Sequence, residues 1–141
     1  MPQWRFPYDE YQVPSLGVRV QAQGGPQVDL WGTVDSGASS TVLSVKNAEE
    51  LGLGGTDLRE GRDAVIADGS KVRCWTVATP MRAQVLRRPS IEELPAWGPV
   101  FAIDAVFIEH ADPLWGQADF FAAFEVIFWR NVTPPTFGLS Y

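Results

Sequence analysis

Cysteine is almost missing from this chain: Cys74 stands alone among 141 residues, so no intramolecular disulfide can hold the fold. Histidine is equally scarce, and His110 with one cysteine cannot make a typical zinc site. A hydrolase could in principle pair His110 with Cys74 or a serine, but no nucleophile motif accompanies it, and the two residues read as a turn histidine and a half-buried strand cysteine. Basic runs are missing too. Arg87-Arg88 is only a pair and the net charge is -6, which excludes the basic patch that a nucleic-acid backbone requires. No apolar run reaches membrane-spanning length, and the start, Met1-Pro2-Gln3-Trp4-Arg5-Phe6-Pro7, lacks a basic segment followed by an apolar one. The expectation is a cytoplasmic protein with neither a membrane nor a nucleic-acid partner.

What is present can build a core. The chain is 45% hydrophobic and 12% aromatic with only 20% charged residues, a composition that folds. Its length fits one domain and excludes a two-lobed enzyme with duplicated halves. Thirteen glycines and eleven prolines favour short strands joined by turns, a mostly β class.

Residues 1–14 form an aromatic and polar arm that must dock to be ordered, ahead of a domain over residues 15–141. From Leu16 to Gln23 apolar and polar residues alternate, and after the Gly24-Gly25-Pro26 turn Val28 to Val34 reads as a second strand that delivers the chain into Asp35-Ser36-Gly37. Thr41 to Ser44 predicts a strand, and Val45 to Leu51 a helix closed by Gly52. Ala64 to Ala67 and Lys71 to Val77 flank Asp68-Gly69, a strong hairpin signal over residues 63–77. The hairpin is a candidate lid, with an ordinary surface hairpin as the bland alternative. Residues 86–99, with Pro89, Pro95 and Pro99, predict an inserted surface loop, and Val100 to Ile108 a long buried strand. Gln117 to Phe124 predicts one short amphipathic helix, Glu125 to Trp129 a strand, and Thr136 to Tyr141 a terminal strand in need of a neighbour.

Hydrolysis by carboxylates needs two closely spaced Asp groups sharing a proton, because both cannot ionise cheaply; the charged one acts as base on water and the neutral one as acid. Such a pair needs Asp on a rigid turn, a small hydroxyl residue after it and Gly where backbones approach closely. Asp35, Ser36 and Gly37 supply these in order, although an Asx turn uses the same residues. Asn131-Val132-Thr133 matches a glycosylation sequon and is read as incidental.

The run from Val34 through Asp35-Ser36-Gly37-Ala38 to Leu43 resembles the active-site signature of retropepsin-like aspartic proteases, and Leu114-Trp115-Gly116 resembles their second signature. The resemblance covers roughly residues 15–141. It implies a retropepsin-like acid-protease barrel with one short C-terminal helix, working as a homodimer, since only one Asp-Ser-Gly triplet occurs. It further implies Asp35 as the catalytic residue; Ser36, Gly37 and Ala38 as the active-site loop, with Ser36 bonding across the two-fold axis; and Ala67, Asp68, Gly69 and Ser70 as the flap over an extended peptide or protein substrate. Leu114, Trp115 and Gly116 would support the loop from beneath, the terminal segments would pair in the dimer interface, and no cofactor or metal would be needed. Two positions depart from the pattern. Gln117 stands where many retroviral members carry Arg, and Ser39 and Ser40 stand where its acidic partner would be. A second function class therefore stays open: a dimerisation or peptide-binding module of the same fold with little or no proteolysis.

Overall fold

The computed structural model describes residues 3–66, 68–87 and 96–141. Fourteen strands and two short helices are present among them, in the order β1 (Gln3–Pro7), β2 (Ser15–Ala22), β3 (Gln27–Val34), β4 (Thr41–Ser44), α1 (Val45–Glu50), β5 (Leu58–Glu60), β6 (Ala64–Val65), β7 (Lys71–Val72), β8 (Cys74–Val77), β9 (Met81–Leu86), β10 (Ala96–Ile103), β11 (Ala105–Ile108), β12 (Leu114–Trp115), α2 (Phe120–Ala123), β13 (Glu125–Trp129) and β14 (Thr136–Ser140). None of the described helices is long and apolar enough to cross a membrane.

The main sheet has nine strands in the order β10-β9-β2-β3-β12-β4-β11-β8-β5. Its centre explains the site. The chain enters the Asp35 loop from β3 and leaves by β4, and the two-residue strand β12 lies between them, parallel to β3 and antiparallel to β4. The β2–β3 hairpin forms as the alternation requires, burying Val18, Val20, Leu30 and Val34. Gly24 takes a φ of +78° at its turn, where an L side chain would be strained.

Helix α1 follows its sequence signals closely. Ser44 caps it, with the Ser44 hydroxyl accepting from the Asn47 N–H at 3.0 Å and the Asn47 side chain accepting from the Ser44 N–H at 2.9 Å. Gly52, at φ +79°, ends it.

Three expectations change. Helix α2 spans four residues rather than Gln117 to Phe124, because the N–H groups of Gln117 and Ala118 bond to the carbonyls of Ala38 and Ser39 and are unavailable to a helix. Strand β10 begins at Ala96, inside the expected surface loop, and pairs with the end of β9. Its register shifts between Trp97 and Phe101, and this irregularity accommodates Gly98 (φ +79°) and Pro99 at the edge of the sheet. Residues 88–95 of that loop lie outside the described residues. The long strand expected from Val100 to Ile108 breaks at Asp104, whose N–H turns out of the ladder to the Asp119 carboxylate at 3.0 Å.

The N-terminal arm finds its neighbour in its own chain. Strands β1, β14 and β13 form a three-stranded antiparallel sheet with β14 in the middle, so the terminal segments pair within one protomer rather than waiting for a second. Phe6 and Tyr8 join the core, and Phe6 stacks on Phe137 with centroids 5.3 Å apart. Arginines staple the arm from several sides: Arg87 over Trp4 at 4.8 Å, Arg5 over Trp129 at 4.1 Å, and Arg130 over Tyr8 at 5.4 Å.

Candidate active site

Asp35 follows directly on β3, and its backbone is fixed by a bond from its N–H to the Trp115 carbonyl at 3.0 Å. The loop then turns tightly. The Gly37 N–H donates to Asp35 Oδ1 at 2.8 Å and the Ala38 N–H to the Asp35 carbonyl at 3.2 Å, an Asx turn that leaves the carboxylate half-buried and the Ser36 side chain exposed.

The loop is held from beneath by the segment 114–119. Trp115 is fully buried and donates its indole N–H to the Leu16 carbonyl at 3.0 Å. Gly116 is a steric necessity, since a Cβ there would stand 2.3 Å from the Ser40 carbonyl carbon and oxygen. Gly32, opposite Pro113, is under the same constraint at 2.3 Å from that residue's carbonyl oxygen. The Gly116 N–H donates to Thr41 Oγ1 at 3.2 Å, and that hydroxyl donates to Asp119 Oδ1 at 2.5 Å. Gln117 then reaches back over the loop: its N–H donates to the Ala38 carbonyl at 2.9 Å and its side-chain amide to the Ser36 carbonyl.

Above the loop lies the β6–β7 hairpin, paired Ala64↔Val72 and Val65↔Lys71. Its tip is ordered by Asp68, whose Oδ1 accepts from the Ser70 N–H at 2.8 Å and the Ser70 hydroxyl at 2.6 Å, while Gly69 adopts φ +85°. Ser70, foremost through its hydroxyl, holds the Asp68 carboxyl below its ordinary range. Ala67 lies outside the described residues. Between hairpin and loop is a cleft of about 690 Å³, of a size that admits several peptide side chains. Its walls are aliphatic, with Val42, Val65, Ile66, Val106, Ile108 and Leu114 among them, and among the described residues Asp35 is the one ionisable side chain that lines it. Val65 and Ile66 are 67% and 39% exposed, apolar surface at the cleft.

Over 99% of its length this chain superposes on 91% of a retropepsin-like aspartic protease from Rickettsia conorii, known from its crystal structure, with a TM-score of 0.61 and 19% identity. The fold is retropepsin-like. No family model matches the chain, and no curated protein does at the level of sequence. At 19% identity the likeness is one of architecture, and the chemistry has to be read from the residues themselves.

The retropepsin-like frame brings together Asp35, Gly37 and Ala38 with Ala64, Val65 and Ile66 of the hairpin around the cleft, and sets Trp115 and Gly116 beneath them; Ser36, Asp68, Gly69 and Ser70 do not line it. Three contributors were not singled out as supports by the sequence: Thr41, Asp119 and Gln117. Asp119 had a signal, because an Asp directly before an apolar run is an N-cap pattern, and its Oδ1 does accept the Phe120 N–H at 2.7 Å. Thr41 reads as one more β-branched strand residue, and its hydroxyl's two bonds carry no local signature. Gln117 reads in the sequence as a departure from the signature it resembles, and in the structure its side-chain amide donates to the Ser36 carbonyl.

Proposed function

We propose that this chain is an aspartic endopeptidase that works as a homodimer, each protomer supplying one Asp35. The observation that carries the reading is the position of Asp35: on a braced turn, bonded by the Gly37 N–H at 2.8 Å, and, among the described residues, the one carboxylate at the floor of an aliphatic cleft beneath a hairpin. One carboxylate is half of the machinery for splitting a peptide bond with water. A second copy related by a two-fold axis would bring the other Asp35 alongside, and the two groups would share a proton. The charged member would take a proton from water as its oxygen attacks the scissile carbonyl, and the neutral member would donate to the carbonyl oxygen. Ser36, exposed on the same turn, is available to bond across the axis, and the flap would close over a substrate held as an added strand. The substrate is an extended peptide or protein segment with apolar side chains beside the cut bond, to match the cleft walls. No cofactor enters the scheme.

The test is digestion of a peptide library by wild type and Asp35→Asn, with pepstatin-type inhibition and solution sizing alongside. Cleavage by wild type alone, with dimers at working concentration, is the expected result. Equal cleavage by both proteins would remove Asp35 from the chemistry. An inactive wild type that still forms dimers would point to the binding-module alternative.

A further inference from the structure

The side-chain amide of Gln117 and the carboxylate of Asp35 meet the same peptide group from opposite ends. The peptide joining Ser36 to Gly37 offers its carbonyl to Gln117 Nε2, and its N–H donates to Asp35 Oδ1 at 2.8 Å. A donor on a peptide oxygen polarises that amide and makes its N–H a stronger donor, so hydrogen bonds in such a chain strengthen one another. Gln117 is itself fixed, because its own N–H donates to the Ala38 carbonyl at 2.9 Å on the far side of Gly37.

We infer that Gln117 is a positioning residue that acts on Asp35 through the Ser36–Gly37 peptide, strengthening the Gly37 N–H bond that holds the carboxylate in place. The inference rests on the reading of Asp35 as the water-activating group. It gives the neutral residue at this position a task that needs no ion pair, consistent with serines at positions 39 and 40.

Electrostatic alternatives around Asp35 are limited. The titratable groups on the elements packed around the loop are Arg19 and Asp29, paired at 2.8 Å, on the β2–β3 hairpin, and Lys46, Glu49 and Glu50 on α1. Asp63, Asp68 and Lys71 belong to the flap region; Asp104 precedes β11; Glu109, His110 and Asp112 follow it; and Asp119 caps α2. None makes a hydrogen bond or ion pair with Asp35 among the described residues. In the dimer, the Asp35 of the second copy is the further group to face it.

Gln117 is exposed, so its substitution leaves the core intact. Gln117→Met keeps the shape and removes the donor; Gln117→Arg restores a donor. NMR of the full-length protein follows the Gly37 amide proton with no need for turnover, and kcat/KM follows the consequence. In Gln117→Met the Gly37 amide proton moves upfield and kcat/KM falls roughly two-fold with KM little changed, in keeping with a modest cooperative effect. In Gln117→Arg the Gly37 resonance and kcat/KM return toward their wild-type values. A Gly37 resonance unchanged in Gln117→Met would overturn the inference. Absence of cleavage by wild type at every pH would instead overturn the protease reading, while the NMR comparison still decides the relay.

Discussion

Thr41 and Asp119, 78 positions apart in sequence, share a buried hydrogen bond of 2.5 Å that ties the exit of the Asp35 loop to the start of α2. The Thr41 hydroxyl is used twice, as donor to Asp119 Oδ1 and as acceptor for the Gly116 N–H. Thr41→Val preserves shape and removes both bonds, leaving the buried Gly116 N–H without its partner and Asp119 Oδ1 with the Phe120 N–H. The expected loss of stability is about 1 to 3 kcal/mol, most of it from the unpaired N–H. Thr41→Ser keeps the hydroxyl and should lose less. Urea denaturation of the two variants checks this, and equal losses would mean that methyl packing, not the hydroxyl, is what counts at this position.

The tip of the β6–β7 hairpin supplies a pH dependence with a definite sign. Ser70 lowers the Asp68 carboxyl, mainly by its hydroxyl and then by its N–H. A carboxyl lowered in the folded state contributes order that is complete above its ordinary range and lost as pH falls through the lowered value. Asp68 is solvent-exposed, so the effect is local to the turn rather than a term in global stability. In Ser70→Ala the Asp68 titration should rise toward the ordinary range, with a residual depression from the surviving N–H bond, and exchange of the Gly69 amide proton should begin at higher pH as the solution is acidified. An Asp68 titration identical in the two proteins would show that the hydroxyl bond does not persist in solution.

Much of this site was legible because its signals are local. Gly52 and the Asp68-Gly69 turn each act within a few residues, and the strand ending at Val34 announces where Asp35 must lie. The misread parts depend on groups far apart in sequence. Gln117 and Ala118 look helical until their N–H groups are claimed by Ala38 and Ser39, and Gly98-Pro99 looks like a loop until an edge strand with a register shift is available to hold it. Asp104 interrupts an apolar run for the sake of Asp119, a partner 15 residues away. The pairing of the two ends with each other went unread for the same reason: Gln3–Pro7 and Thr136–Ser140 lie at opposite ends of the chain, and no local pattern announces their register.

That pairing has a direct consequence for Phe6. Its ring is 3% exposed, stacked on Phe137 and edge-on to Trp97 with centroids 6.2 Å apart, all within one chain. Phe6→Ala should therefore lower the stability of the protomer itself, by about 3 to 5 kcal/mol for a phenylalanine removed from a packed core. Because the lost contacts are intramolecular, the difference between wild type and variant should stay constant across a hundred-fold range of protein concentration. Association of the proposed homodimer moves the unfolding midpoint of both proteins alike; were the arm instead exchanged into a partner, Phe6→Ala would also weaken the dimer, and sizing would show the variant dissociating at concentrations where wild type stays dimeric. Denaturation curves at several concentrations, with sizing of both proteins, separate the two. A concentration-dependent gap would overturn the pairing of β1 with its own β14.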